Sequence, residues 1–175
     1  SLSELTQTLV QSVHHFGPLD AIVCAAGGWQ GDPKLPASDG ASSLEEILQA
    51  AADYGETFDN MMVRNLEPVL ACSFLCKYYV NPNALFVSVG ATAALLPTPG
   101  MLAYGTSKAA AHFCLQTVGA TTGLTLESKS LKKAGLSVRH DFTTLDTLSV
   151  IGILPSVLDT PHNRTYMEYA PTWTK

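Results

Sequence analysis

The sequence predicts an α/β fold, an open parallel sheet flanked by helices, from the way its apolar segments alternate. Three short runs are largely apolar and end on glycine or proline: residues 19–28, 84–90 and 149–155. Their apolar residues are too continuous for strands with one solvent-exposed face, so we expect buried strands. Segments in which apolar residues recur at helical spacing separate these runs. Strands that alternate with helices imply parallel pairing through right-handed crossovers.

Helices are predicted wherever apolar residues recur at three- and four-residue intervals. Pro68 lies inside the third helical segment. Because proline has no N–H, it cannot donate to the carbonyl of Arg64, which predicts a bend and a free acceptor just before Asn65. The four predicted helices cover residues 1–17, 43–55, 57–80 and 104–123.

Two polar stretches lie between the predicted elements. Residues 30–43 are rich in turn-forming residues, which predicts a mobile surface loop. Residues 124–147 contain lysines and have weak periodicity, which predicts an exposed insertion. With 175 residues, 46% of them hydrophobic, the sequence otherwise predicts a single domain over residues 1–175.

Composition argues against several classes of partner. The 15 acidic residues outnumber the 10 basic ones, and no basic run exceeds Lys132–Lys133, so we expect neither nucleic acid nor an anionic membrane to bind. No apolar stretch reaches the roughly 20 residues that span a bilayer. The four cysteines lack C-x-x-C spacing, which favours buried free thiols in a reducing compartment, and we expect no metal site. A cytoplasmic protein is predicted.

Tyr104 and Lys108, a tyrosine and a lysine four positions apart, open the last predicted helix. On a helix such residues share a face, so the phenol and the ammonium can converge on one point. The ammonium is expected to lower the pKa of the phenol from its usual value near ~10, which makes Tyr104 a candidate proton donor. The structural alternative is a half-buried tyrosine beside a lysine whose stem covers apolar surface.

Ligands of open parallel sheets bind beyond the carboxyl ends of the strands, where this sequence has two glycines and a tryptophan. Gly27 and Gly28 close the first strand and would let a flat ligand approach the backbone. Trp29 follows them and could stack on an aromatic ring. Ordinary turn glycines and a tryptophan at the rim of the core are the structural alternatives. The joint placement of these residues with Tyr104 at one edge of the sheet favours a binding site.

These motifs resemble the short-chain dehydrogenase/reductase family, and within it the branch that reduces quinonoid dihydropteridines. Where the general family has a serine ahead of its tyrosine this sequence has Ala91, and where the family has a glycine after Pro155 it has Ser156. Both replacements are typical of the dihydropteridine-reducing branch. The matching features are the turn Ala25–Gly27, the helix residue Asn65, the pair Tyr104 and Lys108, and the turn from Pro155 to Thr160.

The resemblance implies a Rossmann-like doubly wound parallel sheet. It also implies transfer of a hydride from NADH or NADPH to a quinonoid dihydropteridine, which regenerates the tetrahydropteridine. Tyr104 would donate the proton, Lys108 would also hold the nicotinamide ribose, and Trp29 would pack against the pterin beside Ala91. Asn65 would anchor a relay water. The residues implied to bind the cofactor are Ala26, Gly27, Gly28, Tyr104, Lys108, Pro155, Val157 and Thr160.

The resemblance further implies a homodimer through the helices at 57–80 and 104–123, which are apolar around much of their circumference. It places the family's glycine-rich nucleotide loop, its first strands and its last strand outside the printed sequence. Two alternatives are another short-chain reductase that acts on carbonyls or oxidised pterins, and a non-catalytic scaffold of the same fold. Ala91 disfavours carbonyl reduction, and the pair Tyr104 and Lys108 disfavours a scaffold.

Overall fold

The computed structural model describes residues 1–36, 42–133 and 148–156, without the side chains of residues 122–133. Strands and helices alternate along these residues, which confirms the predicted α/β class. A 3₁₀ turn at Thr92–Ala94 follows the second strand. In chain order the elements are α1 (Leu2–His14), β1 (Leu19–Cys24), α2 (Leu44–Asn65), α3 (Glu67–Tyr78), β2 (Val80–Val89), α4 (Leu102–Lys133) and β3 (Ser149–Ile153).

The three strands form one parallel sheet in the order β1–β2–β3. Phe86 at its centre pairs with Ile22 on one side and with Val150 on the other. Parallel pairing brings the carboxyl ends of the three strands to one edge, which is where the sequence placed its candidate site.

The strand β2 begins earlier than the predicted run 84–90, and its first half is irregular. Pro82 has no N–H to give to the sheet, and Asn83 has a positive φ of 64°. The register with β1 shifts in the same region, between Leu19 and Ala21. The irregular start lies at the amino ends of the strands, away from the candidate site.

The core lies on one face of the sheet, under α1, α3 and α4. Phe86 is fully buried there, and Leu75 of α3 and Leu115 of α4 belong to the same cluster. On the opposite face Val23 and Ile151 are exposed, at 66% and 49%. The described helices therefore cover a single face of the sheet.

A break at Leu66 divides the predicted helix 57–80. α2 ends at Asn65 and α3 begins at Glu67, which puts Pro68 in the first turn of α3. A proline is tolerated there, since the first N–H groups of a helix have no helical acceptor. The bend predicted from Pro68 is therefore present, as a division between two helices.

The helix α2 also includes the short helix predicted at 43–55. A capping box opens it: the Glu46 N–H donates to the Ser43 hydroxyl, and the Ser43 N–H donates to the Glu46 carboxylate. The helix then continues through Gly55, because one glycine costs a helix only about 1 kcal/mol. The prediction of two separate helices here is wrong.

The helix α4 begins at Leu102 and remains helical to Lys133. It extends beyond the helix predicted for 104–123 into the segment predicted as an exposed insertion, whose residues 134–147 lie outside the described residues. Within the described ranges no helix is long and apolar enough to cross a membrane. All four cysteines are free, and no cluster of three or more potential metal ligands occurs among the residues that the structure covers.

Candidate active site

The first turns of α4 carry Tyr104 and Lys108 to the edge of the sheet where β1 ends. Lys108 is buried, with 6% of its surface exposed, and Tyr104 is partly buried. Ala91, two residues after β2, is also buried. The structure thus places the predicted pair and the predicted substrate residue at the same edge.

Gly27 and Lys108 approach each other so closely that no side chain fits between them. A Cβ built on Gly27 would lie 2.9 Å from the Lys108 Nζ and 2.9 Å from the Asn65 Oδ1, closer than such atoms approach in proteins. A side chain at position 27 would therefore displace the ends of Lys108 and Asn65. The approach of a flat ligand to this turn stays a prediction.

Hydrogen bonds link the turn after β1 to the backbone of Tyr104. The Gly28 N–H donates to the Asn65 Oδ1 (2.9 Å), and the Asn65 Nδ2 donates to the Ser107 Oγ (3.0 Å). The Ser107 hydroxyl donates in turn to the Tyr104 carbonyl (2.8 Å). Asn65 and Ser107 are fully buried, at 1% and 0% exposed, so these bonds fix the segments that they join.

Asn65 was predicted from the sequence, whereas Ser107 was not. The one available signal for Ser107 was its position on the helix between Tyr104 and Lys108, which does not by itself show which way the hydroxyl points. The side-chain oxygen and nitrogen of Asn65 are both committed to the protein. A relay water beside Asn65 stays a prediction.

The protonation of Tyr104 differs from what the sequence suggested. Burial raises the pKa of Tyr104, whereas Lys108 was expected to lower it. Burial also lowers the pKa of Lys108, and the nearby Cys24 thiol opposes that effect. Loss of hydration around the phenol is the larger influence in this structure. Tyr104 therefore keeps its proton at neutral pH, as a proton donor must.

A pair of thiols adjoins Lys108. The pKa of Cys24 is lowered to about 7, mainly by a hydrogen bond with Cys72. Burial acts to raise this pKa, whereas Ser88 and Lys108 lower it further. The same hydrogen bond raises the pKa of Cys72. Of the two thiols, Cys24 is therefore the one that loses its proton first, on the side of the pair that faces Lys108.

Residues 29–32, the bridging segment, connect the turn after β1 to two helices. The Gln30 Nε2 donates to the Thr57 Oγ1 of α2 (3.2 Å), and the Trp29 Nε1 donates to the Met101 Sδ just before α4 (3.0 Å). The first part of the loop predicted as mobile is therefore bonded to the core elements. Residues 37–41 of that loop lie outside the described residues.

Asp32 supplies the amino-terminal cap of α4 from a distant part of the chain. Its carboxylate accepts hydrogen bonds from the N–H of Leu102 (2.8 Å) and of Ala103 (3.3 Å). Asp32 was not predicted from the sequence. The sequence indicated the need for such a residue only indirectly. The two residues before the helix, Gly100 and Met101, have no side-chain oxygen that could cap it, which leaves the cap to another segment.

The remaining predicted residues lie around the same edge. Trp29 is 53% exposed beside the start of α4. The Pro155 carbonyl accepts a hydrogen bond from the Thr92 N–H (3.1 Å), which ties the end of β3 to the residue after Ala91. Ala26 lies in the turn between β1 and Gly27. Val157 and Thr160 lie outside the described residues.

An open groove of about 530 Å³ lies along a different face of α4. Gly105, Thr106 and Ala109 line it together with Leu102 and the apolar stretch 93–100. Neither Tyr104 nor Lys108 lines this groove. The chemistry of the pair therefore belongs to the sheet edge and not to the groove.

The chain belongs to the short chain dehydrogenase family, whose model matches residues 1–125, a range that holds β1, β2 and the Tyr104–Lys108 pair. A dihydropteridine reductase from Dictyostelium discoideum is 35% identical over 159 residues. That match covers 89% of this chain and 54% of the relative, so the chain spans about half the length of the curated relative that it matches. The resemblance found in the sequence is confirmed.

Solved structures share the fold at lower identity. A short-chain dehydrogenase/reductase from Serratia marcescens is 23% identical, with a TM-score of 0.54, over 93% of this chain and 52% of that chain. The aldohexose dehydrogenase of Thermoplasma acidophilum, in ligand-free form, is 18% identical, with a TM-score of 0.56, over 95% of this chain and 51% of that chain. These likenesses confirm the predicted Rossmann-like fold.

Proposed function

We propose that the protein transfers a hydride from NADH or NADPH to a quinonoid dihydropteridine and so regenerates a tetrahydropteridine such as tetrahydrobiopterin. The observation that carries this proposal is the pair Tyr104 and Lys108 at the sheet edge, with Ala91 where the general family has a serine. The 35% identity to a protein named dihydropteridine reductase supports the same class of substrate.

Lys108 fits a nicotinamide nucleotide. The residue is 6% exposed, and its Nζ lies at the turn after β1, 2.9 Å from the position of a Cβ built on Gly27. Because an ammonium carries three N–H donors, a ligand that brings hydroxyl oxygens, such as the nicotinamide ribose, suits this position. Backbone groups of Ala26, Gly27, Gly28, Pro155, Val157 and Thr160 are proposed to hold the same nucleotide.

In this proposal the bound nucleotide supplies the hydride, and the residues of the chain supply the proton and the orientation. Tyr104 donates the proton, since burial raises its pKa and keeps the phenol protonated. Lys108 orients the nucleotide and keeps a positive charge beside the reacting groups. A relay water beside Asn65 is part of the proposal, because Pro68 cannot donate to the carbonyl of Arg64.

Ala91 suits a substrate whose reacting centre is not a carbonyl. A quinonoid pterin is planar and already activated, so it needs a hydride and one proton but no hydroxyl to hold a ketone oxygen. Trp29 leaves 53% of its surface exposed beside the start of α4, and we propose that its ring packs against the pterin.

The direct test is oxidation of NADH or NADPH by the full-length polypeptide supplied with freshly generated quinonoid dihydrobiopterin. We expect turnover with the pterin and little with aldehydes or ketones. Trp29→Ala should weaken use of the pterin while nucleotide binding barely changes. The proposal fails if the pterin assay is silent while a panel of carbonyls gives robust turnover. Silence with both would favour the non-catalytic scaffold.

We also infer that the protein is a cytoplasmic homodimer. Phe113 of α4 is 70% exposed, Phe74 of α3 is 44% exposed and Leu48 of α2 is 61% exposed. Large apolar side chains on neighbouring helices fit a helix-to-helix contact between two copies of the chain. The four free cysteines fit a reducing compartment.

A further inference from the structure

We propose that Asp32 is a positioning residue that holds the bridging segment, and with it Trp29, against the start of α4. The proposal rests on the proposed pterin reduction, because Trp29 is the residue expected to pack against the pterin. Asp32 itself touches no substrate. It acts by fixing the place of the Trp29 ring relative to Tyr104, which lies two residues after the helix begins.

The first step concerns the start of α4. The N–H groups of Leu102 and Ala103 have no acceptor within the helix, and both donate to the Asp32 carboxylate, at 2.8 Å and 3.3 Å. A negative charge at this end of a helix also interacts favourably with the helix dipole. Asp32 is therefore bound to the helix that carries the candidate proton donor.

The second step concerns the backbone of the bridging segment. The Asp32 N–H donates to the Gly100 carbonyl (3.0 Å), so Asp32 contacts the residues before α4 through its backbone and α4 itself through its side chain. Gly31 packs between Trp29 and Gly100, since a Cβ built on it would lie 3.7 Å from the indole ring and 3.9 Å from the Gly100 oxygen. The segment lies flat against the start of the helix.

The third step concerns Trp29. Its indole N–H donates to the Met101 Sδ at 3.0 Å, while 53% of its surface stays exposed. A sulfur acceptor is weak, so this bond alone holds the ring less firmly than the two bonds to the Asp32 carboxylate hold the segment. Removing the carboxylate should therefore loosen Trp29 even though Trp29 itself is unchanged.

The experiment uses the full-length polypeptide and three variants. Asp32→Ala removes the cap, and Asp32→Asn keeps an oxygen acceptor, which caps helices about as well as a carboxylate. Asp20→Ala is the matched control, because Asp20 is an exposed carboxylate at the opposite end of β1 that also accepts one hydrogen bond, from the Asn81 Nδ2 (2.8 Å). Each protein is compared with its Trp29→Phe counterpart, so that the difference in emission isolates Trp29 from any other tryptophan.

We expect Asp32→Ala to raise the KM for quinonoid dihydrobiopterin about fivefold to tenfold, because binding must then order a loosened Trp29 ring, and to shift the Trp29 emission to the red. The affinity for NADH or NADPH should stay within about twofold, since no contact to the nucleotide is removed. With Asp32→Asn, the KM for the pterin and the Trp29 emission should both stay close to those of the unmodified protein. Asp20→Ala should change neither.

The proposal is overturned if Asp32→Ala matches Asp20→Ala in both KM and Trp29 emission, or if Asp32→Asn is as impaired as Asp32→Ala. If Asp32→Ala does not fold, Asp32→Ser replaces it with the same expected result, because the serine oxygen is one bond closer to the backbone and lies too far away to accept from both Leu102 and Ala103. A lack of pterin turnover in the unmodified protein would refute the proposed function alone, because the emission of Trp29 still reports whether Asp32 positions it.

Discussion

Replacing Tyr104 by phenylalanine removes the phenolic proton but keeps the ring. We expect Tyr104→Phe to lower turnover of quinonoid dihydropterin about 10²- to 10⁴-fold, the usual contribution of a general acid, while nucleotide affinity stays nearly unchanged. Lys108→Ala is the contrasting variant, because it should weaken nucleotide binding as well. Steady-state rates and nucleotide titration measure both effects. An unchanged rate in Tyr104→Phe would remove Tyr104 from the mechanism.

The pH dependence of the reaction follows from the burial of the same residue. Burial raises the pKa of Tyr104 above its ordinary value of 10.0, so the proposed proton donor stays mostly protonated below that value. We therefore expect kcat/KM to show no loss due to Tyr104 between neutral pH and about pH 10, and to fall above that range. Profiles of the unmodified protein and of Tyr104→Phe test this. A loss near neutral pH that disappears in Tyr104→Phe would contradict it.

A substitution at Ala91 tests the proposed pterin reduction against ordinary carbonyl reduction. In a site built around a ketone, Ala91→Ser would add an oriented donor and raise turnover of simple carbonyls about 100-fold or more. For the proposed pterin site we expect a rise of less than about tenfold. The same panel of aldehydes and ketones, measured before and after the substitution, decides between these outcomes.

At the scale of the element, two glycines inside helices allow the effect of side-chain packing on stability to be separated from the effect of helix propensity. A Cβ on Gly105 of α4 would overlap the Thr98 Oγ1, whereas nothing lies within 4 Å of a Cβ built on Gly55 of α2. We expect Gly55→Ala to raise the free energy of unfolding by about 0.5–1 kcal/mol and Gly105→Ala to lower it by about 1–3 kcal/mol. Denaturant titration measures both changes. A stabilised Gly105→Ala would show that Thr98 moves away at little cost.

The elements were predictable from the sequence where nearby residues decide them. The apolar runs mark β1 and β3, and Pro68 marks the division of the long helix, because each signal acts within a few positions. The cap of α4 was not predictable in this way, since Asp32 and Leu102 are 70 positions apart. No periodicity or turn preference carries information over that distance.

The same distinction applies to the candidate site. Gly27, Asn65, Tyr104 and Lys108 were named from motifs, and the structure brings them to one edge of the sheet. The direction of the pKa shift at Tyr104 could not be predicted from motifs, because it depends on how much water the folded chain removes from the phenol. Burial of a single side chain is a property of the complete tertiary structure.

At the scale of the whole molecule, the exposed apolar side chains of the helices predict association. Phe113 is 70% exposed on α4, and we expect Phe113→Glu to convert a dimer of the full-length polypeptide into a monomer. Phe16→Glu is the matched control, since Phe16 is 84% exposed just beyond α1, outside the proposed contact. Light scattering at micromolar concentration measures both. A monomeric unmodified protein would end the proposal of a dimer.

The bonds from Gly28 to Asn65 and from Asn65 to Ser107 join residues 37 and 42 positions apart. Neither bond can arise from local structure, because the entropy of closing such long loops is offset only when β1, α2 and α4 pack together. We therefore expect this edge of the sheet to become ordered only when β1, α2 and α4 have packed together. A nucleotide or pterin that binds at this edge, as proposed, would then bind the folded chain alone and would stabilise it against unfolding.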